Sequence, residues 1–65
     1  MKHYYFIENE SGEEFIVGAS NYFEAEKVAL EIADDIAIHY AIRPDLSFEY
    51  EMTDEEAENS GLDEY

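Results

Sequence analysis

The feature that most constrains this chain is one long segment of helical periodicity, Asn21–Tyr40, in a sequence of only 65 residues. Apolar residues recur in it at the i, i+3, i+4 and i+7 spacing that places them on one face of a helix. This stripe consists of Ala25, Val28, Ala29, Ile32, Ala33, Ile36 and Tyr40. Asn21 is a suitable N-cap with Glu24 three residues later, and Pro44 disfavours helical backbone before it. We therefore expect one long helix that ends near Ala41.

Three shorter segments have the composition of β-strands and supply a sheet for this helix. His3–Glu8 is dense in aromatic and β-branched residues and is apolar on both faces, which is typical of a central strand. Asn9–Gly12 predicts a turn, after which Glu13–Gly18 forms the second strand of a hairpin. Leu46–Met52 alternates apolar with polar residues and predicts a strand with one buried and one exposed face.

The order of these elements predicts an α+β fold, a small β-β-α-β domain with a short C-terminal helix. That short helix begins with a capping box, Thr53 with Glu56, and ends at Gly61. We expect a three-stranded antiparallel sheet in the order 2-1-3, with the long helix on one face. A parallel crossover that places the third strand beside the second is the alternative. Residues 1–65 form a single domain in this prediction, and residues 62–65 form a loose tail.

The charge of the chain is its strongest functional signal, with 18 Asp and Glu against three Lys and Arg and a formal net charge of −15. The aromatic and aliphatic residues favour a folded domain over a disordered acidic segment. Nucleic acids and anionic membranes both bind through Lys and Arg, so we expect neither as a direct partner. The sequence also has no cysteine and no apolar run of signal-peptide or membrane-span length, which predicts a cytoplasmic protein.

Patterns that indicate catalysis or metal binding are missing from the sequence. His3 and His39 are the only imidazoles, and we interpret both as structural. No nucleophile motif, phosphate-binding loop or EF-hand spacing occurs, and adjacent acids on a helix point in different directions. We therefore expect a protein that is not an enzyme and that has no cofactor and no metal site.

Acidic side chains recur at regular spacing on all the later elements, and they form the predicted partner-binding site. On the helix, Lys27 is expected to pair with Glu24 and Glu31. On the third strand, Glu49 and Glu51 face outwards about 6.7 Å apart, two residues at strand rise. The predicted site comprises Glu24, Glu31, Asp34, Asp35, Glu49, Glu51, Glu55, Glu56 and Glu58. Such rows of carboxylates suit the basic groove of a nucleic-acid-binding protein, and the alternative is a solvated face that keeps the domain soluble.

A few apolar residues lie outside the predicted core and can add contact to a partner. Leu30 and Ile38 lie off the apolar stripe of the helix, and Tyr22 and Tyr50 are further candidates because Tyr is enriched at interfaces. Ordinary surface scatter is the alternative for all four.

In size, charge and element order the whole chain resembles small acidic proteins of phages and mobile elements. The segments YYFIENESGEEFIVGASNYFEAEKVALEIA and TDEEAENSGLDEY carry this resemblance. Some proteins of that kind are DNA mimics that block restriction or CRISPR nucleases, so the resemblance implies an inhibitor of the anti-CRISPR or anti-restriction type. That group shares no common fold or catalytic residues, and no functional residue is transferred from it.

Two hypotheses follow from the sequence. The first is a non-enzymatic acidic protein that binds the basic nucleic-acid site of a nuclease or defence protein. The second is a structural or interaction protein that self-associates through the second face of the sheet, built from part of Tyr4–Ile7 and from Ile16. The first predicts a basic protein partner, and the two together leave a monomer or a homodimer open.

Overall fold

A computed structural model describes all 65 residues of the chain. Its elements are β1 (Lys2–Glu8), β2 (Glu14–Ala19), α1 (Tyr22–Tyr40), β3 (Leu46–Met52) and α2 (Asp54–Ser60). The three strands form one antiparallel sheet in the order β2-β1-β3. This confirms the predicted α+β fold and excludes the parallel crossover, because β3 pairs with β1 rather than with β2.

The long helix α1 covers one face of the sheet and packs mainly on β2. Its buried residues are Ala25, Ala29 and Ala33, whose short side chains allow the helix to approach the strands closely. Beneath them lie the buried side chains of Tyr4, Phe6, Phe15, Val17 and Ala19. The core is therefore built from small residues on the helix and large residues on the sheet.

Both ends of α1 are where the sequence places them. The Asn21 side chain accepts a hydrogen bond from the Glu24 backbone N–H at 2.9 Å. At the other end, Ala41 adopts the left-handed conformation with φ of 58° and donates its N–H to the Ala37 carbonyl at 3.0 Å. A residue with positive φ cannot continue the helix, so the chain turns towards Pro44 and β3.

A β-bulge in β3 changes which of its side chains share a face. Phe6 pairs with Phe48, but the neighbouring Tyr5 pairs with Tyr50, so Glu49 is an extra residue in the ladder. Because side chains alternate along a strand, one inserted residue moves everything beyond it to the other face. The prediction of a single buried face for β3 is therefore wrong. Its first apolar residues face α1, whereas its later ones face away from α1.

The second face of the sheet is covered by α2 and by the C-terminal segment. Ile16 is 1% exposed and Met52 is 7% exposed, although neither lies beneath α1. The capping box of Thr53 and Glu56 starts α2 as predicted, and Gly61 ends it with a φ of 71°. Ile16, one part of the apolar surface that the sequence offered for self-association, is thus occupied within one chain, whereas Tyr5 and Ile7 are only partly buried.

The C-terminal segment is paired with the sheet, which corrects the prediction of a loose tail at residues 62–65. The Ile16 N–H donates to the Asp63 carbonyl at 2.9 Å, and the Tyr65 N–H donates to the Ile16 carbonyl at 2.8 Å. The Gly18 N–H donates to the Tyr65 carbonyl at 2.9 Å. The tail runs parallel to β2 and acts as a short additional strand. The polar composition of the tail does not indicate this pairing, because the pairing uses backbone groups that any residue carries.

Candidate partner-binding surface

All nine carboxylates of the predicted site lie on exposed residues, and no acidic residue of the chain is buried. Among the 18 acidic residues, only Glu8 is as much as half-buried. The net charge of −15 is therefore carried on the surface rather than used in internal ion pairs. This arrangement keeps the charges hydrated, and it makes them available to an oppositely charged molecule.

Four of the nine predicted residues also have partners within the chain. Glu24 accepts a hydrogen bond from the Ser20 N–H at 3.3 Å, and Glu56 accepts one from the Thr53 N–H at 3.0 Å. These two carboxylates close the N-terminal ends of the helices. Asp34 forms an exposed ion pair with Arg43, and the Asp35 carboxylate lies 3.5 Å from Nδ1 of His39.

The side chains of the remaining five predicted residues make no hydrogen bond or ion pair within the chain. They are Glu31, Glu49, Glu51, Glu55 and Glu58. The structure divides them among three places, the outer side of α1, the edge strand β3 and the helix α2. Because α1 and α2 cover opposite faces of the sheet, the nine residues do not form one continuous row. They form an acidic girdle that runs over α1, the β3 edge and α2.

Two details of the predicted rows differ in the structure. Lys27 forms no ion pair with Glu24 or Glu31, and Glu24 instead caps the helix N-terminus. Glu49 occupies the β-bulge, so its regular two-residue spacing with Glu51 does not hold. Glu51 lies opposite Tyr4, on the side of the sheet that faces α1.

A groove separates α1 from β3 because the helix lies towards the opposite side of the sheet. Its aromatic wall is formed by Tyr22 and Phe48, whose ring centroids are 5.0 Å apart, and Leu30 lines it from the helix. Tyr22 is 37% exposed, Phe48 is 39% exposed and Leu30 is 50% exposed. The Tyr22 hydroxyl donates to Glu26 at 3.2 Å, and burial together with this carboxylate raises the pKa of Tyr22. Two of the four predicted apolar contacts, Tyr22 and Leu30, therefore lie in one groove, whereas Ile38 is 80% exposed on α1 and does not line it.

The fourth predicted contact, Tyr50, lies on the other face of the sheet. Its ring packs edge-on against Tyr5 with centroids 5.2 Å apart, and the residue is 47% exposed. The bulge that precedes Tyr50 is the cause of this separation from Phe48. The alternating pattern of the sequence contains no signal for such a bulge.

A cluster that the sequence did not indicate joins the two ends of the chain. The Nε2 atom of His3 lies 2.6 Å from Asp54 at the start of α2, and Nδ1 contacts Glu64 of the tail. Hydrogen bonds to Glu64 and Asp54 raise the pKa of His3. Gly18 lies beside His3 on β2, where a Cβ atom would be 3.2 Å from Oε2 of Glu64. The missing side chain at this position gives Glu64 access to the imidazole.

Glu8 also has a structural role that its residue type did not reveal. Its carboxylate accepts hydrogen bonds from the backbone N–H groups of Glu10 at 3.0 Å, Ser11 at 2.8 Å and Asp45 at 2.8 Å. Bonds from the Ser11 and Asp45 N–H groups lower the pKa of Glu8, since they favour its charged form. Glu8 thus ties the hairpin turn to the segment that enters β3.

No protein-family model, curated protein or solved structure matches this chain. Neither helix is both long enough and apolar enough to cross a membrane. The structure brings together no group of three or more His, Cys, Asp or Glu side chains that could hold a metal ion. The candidate surface is therefore defined by the exposed acids and by the groove between α1 and β3.

Proposed function

We propose that this protein is a non-enzymatic acidic binding protein that occupies the basic nucleic-acid site of a nuclease or defence protein, in the manner of a DNA mimic. The observation that carries the proposal is the girdle of exposed carboxylates, five of which have no partner within the chain. A basic groove that holds phosphates is lined with Lys and Arg, and those groups also attract carboxylates.

The dimensions of the domain support this proposal. Its principal extents are 35 × 22 × 16 Å, which describe a short rod of about the width of a nucleic-acid duplex. A duplex carries phosphates on all sides, and this domain carries carboxylates on α1, on α2 and on the edge between them. The division of the predicted site between two faces therefore suits a channel that encloses its ligand more than it suits a flat partner surface.

The electrostatics lead to a specific binding behaviour. Opposite charges steer the encounter of two proteins and accelerate association, and salt screens this effect. We expect affinity for the partner to fall about tenfold or more between low and moderate salt, as electrostatically steered complexes do. We also expect duplex DNA to compete with this protein for the same site.

The test is affinity capture from a bacterial lysate at low and moderate salt, followed by elution of the captured proteins with duplex DNA. Release of a nuclease or another nucleic-acid-binding protein by DNA, and loss of its DNA binding when this protein is added, would support the proposal. Capture that is insensitive to both salt and DNA would contradict it.

Two charge-matched variants make this test specific to the predicted surface. The first variant neutralises three free acids of the girdle, Glu31→Gln, Glu55→Gln and Glu58→Gln. The control neutralises three exposed acids outside the predicted site, Glu10→Gln, Glu13→Gln and Asp63→Asn. Both remove the same charge, so a larger loss of binding in the first variant assigns the effect to position rather than to net charge.

A further inference from the structure

The chain covers one edge of the sheet and leaves the other edge uncovered. The outer edge of β2 is covered by the C-terminal segment, with three backbone hydrogen bonds between residues 16–18 and residues 63–65. The outer edge of β3 has no such cover, because β3 pairs only with β1 and no other segment bonds to its far side. An uncovered edge presents a row of N–H and C=O groups that a further strand can pair with.

The groove between α1 and β3 lies directly beside this open edge. It encloses about 260 Å³ and is lined by Tyr22, Leu30 and Phe48 among other residues. A strand that paired with β3 would place every second side chain on the α1 side, next to Phe48 and the groove. The open backbone edge and the apolar groove can therefore be engaged by one extended segment.

The charges around this edge are acidic. Glu49 and Glu51 are exposed on β3 itself, and Glu26 and Asp45 line the groove. The one basic residue of the groove, Arg43, is paired with Asp34. A segment that lies along β3 therefore meets four carboxylates and no free cation.

This charge pattern decides between a second copy and a different partner. Antiparallel pairing of two β3 strands would bring Glu49 and Glu51 close to the same residues of the second copy, and like charges on facing strands are destabilising. Each copy would also bring a net charge of −15. Acidic residues on an edge strand oppose pairing between identical strands, but they do not oppose pairing with a basic strand.

We propose that the open edge of β3 and its groove bind an extended segment of a basic partner by strand addition. Lysine or arginine side chains of that segment pair with Glu49 and Glu51, and an apolar side chain packs over Phe48 into the groove. Main-chain hydrogen bonds to β3 provide the attachment, and the side-chain contacts provide the selectivity. This inference rests on the proposed function, since it names where and by which kind of segment the basic partner is bound.

The test uses a short capped peptide that alternates lysine with valine and phenylalanine, titrated into the full-length protein labelled with ¹⁵N. The expected result is a set of chemical-shift changes confined to β3, to the Tyr22 and Leu30 region and to the adjoining loop. The β3 amide groups should also exchange with solvent about tenfold or more slowly when the peptide is bound, because they gain hydrogen bonds. No binding, or shift changes centred on α2, would overturn the proposal.

A second peptide separates strand addition from simple charge attraction. It has the same sequence, but its backbone nitrogens on one edge are methylated, so that it keeps its charges and loses main-chain donors. We expect this peptide to bind at least about tenfold more weakly, as the loss of a few net hydrogen bonds requires. Equal binding of the two peptides would overturn strand addition, and it would leave the proposed function intact because charge attraction alone would remain.

Matched variants locate the charges that matter. Glu49→Gln with Glu51→Gln is compared with Glu55→Gln with Glu58→Gln, which removes the same charge from α2. The first pair should weaken peptide binding several-fold more than the second, as measured in the same titration. Equal weakening would show that position on β3 is irrelevant and would overturn the proposal. If the peptide experiments succeed but no DNA-competable protein is captured from lysate, the proposed function fails while the strand-binding edge stands.

Discussion

The two edges of this small sheet are formed by strands of similar length, but one edge is covered by another segment of the chain and the other is not. β2 is covered by the last residues of its own chain, whose Tyr65 packs edge-on against Phe15 at a centroid distance of 5.6 Å. β3 has no covering segment, and it carries Glu49 in a bulge and a half-exposed Phe48. The comparison shows two ways in which a strand edge avoids unwanted pairing. The β2 edge is closed by backbone hydrogen bonds, and the β3 edge carries charges that disfavour pairing with a like-charged strand but leave it accessible.

The largest expected effect is a difference between side-chain truncations on the two edge strands. Ile16→Ala removes a side chain that is 1% exposed and should lower the free energy of unfolding by about 2–5 kcal/mol. Phe48→Ala should cost less, about 1–2 kcal/mol, because Phe48 is already 39% exposed. Urea unfolding of both variants measures the difference.

The effect of Ile16→Ala is large for a chain of this size. Ile16→Val is therefore the milder substitution, and it should lower the free energy of unfolding by about 1 kcal/mol. If Phe48→Ala proved as destabilising as Ile16→Ala, β3 would be as closed as β2, and the contrast between the edges would be lost.

Removal of residues 62–65 should have the next largest effect. The truncation deletes three backbone hydrogen bonds to β2 and the contact between Glu64 and His3, so we expect a loss of about 2–3 kcal/mol. Hydrogen exchange of the full chain provides an independent check, since the N–H groups of Ile16 and Gly18 should be protected only when the tail is present. Rapid exchange of both groups in the intact protein would mean that the tail does not close this edge.

Replacement of His3 tests the side-chain contacts that hold the C-terminal segment on the sheet, and the measured quantity is the pH dependence of stability. Contacts with Glu64 and Asp54 raise the pKa of His3 in the folded state. The contribution of His3 to the free energy of unfolding is therefore fully present below its unfolded pKa of about 6.5. It is lost as the pH rises through the higher pKa of the folded state. We expect His3→Gln to cost about 1 kcal/mol at acidic pH and less above neutrality.

Equilibrium unfolding at several pH values, for wild type and His3→Gln, measures this difference. Glu64→Gln is the control, and it should lower the pKa of His3 because it removes the main partner. A stability difference that grew with rising pH would contradict the assigned direction.

The smallest expected effect is that of Gly18→Ala. A Cβ atom at this position would lie 2.6 Å from Sδ of Met1 and 3.2 Å from Oε2 of Glu64. Both atoms lie in the outer part of a flexible side chain, so we expect a stability change below about 1 kcal/mol. The displaced Glu64 should nevertheless lower the pKa of His3, which an NMR titration of the imidazole measures. An unchanged His3 pKa would show that Glu64 does not need the space above Gly18.

Much of the fold could be predicted from the sequence because its signals are local. The apolar stripe of α1, the Asn21 cap, the capping box at Thr53 and the two-faced character of β1 each reflect neighbouring residues along the chain. These signals were sufficient for the strand order, since a strand that is apolar on both faces belongs in the centre. They also placed all nine acids correctly on the surface, because charged residues are rarely buried without a partner.

The features that were missed depend on contacts between residues far apart in the chain. The bulge at Glu49 depends on how β3 fits against β1, and nothing in the alternation of Leu46–Met52 indicates it. The cluster of His3, Asp54 and Glu64 joins residues separated by up to 61 positions. Pairing of the tail with β2 uses backbone groups, which leave no trace in the residue types.

By itself, the sequence determined the identity and order of the elements, the alanine-lined helix and the concentration of negative charge at the surface. Helical periodicity, capping and charge act over a few residues, or through composition alone, and are therefore visible in one dimension. Only the tertiary structure decided which sheet edge is closed, which side of the sheet each β3 residue faces and that the acids form a girdle on both faces. Those properties depend on how strands pair and how layers stack, which long-range backbone hydrogen bonds and packing establish once the chain has folded.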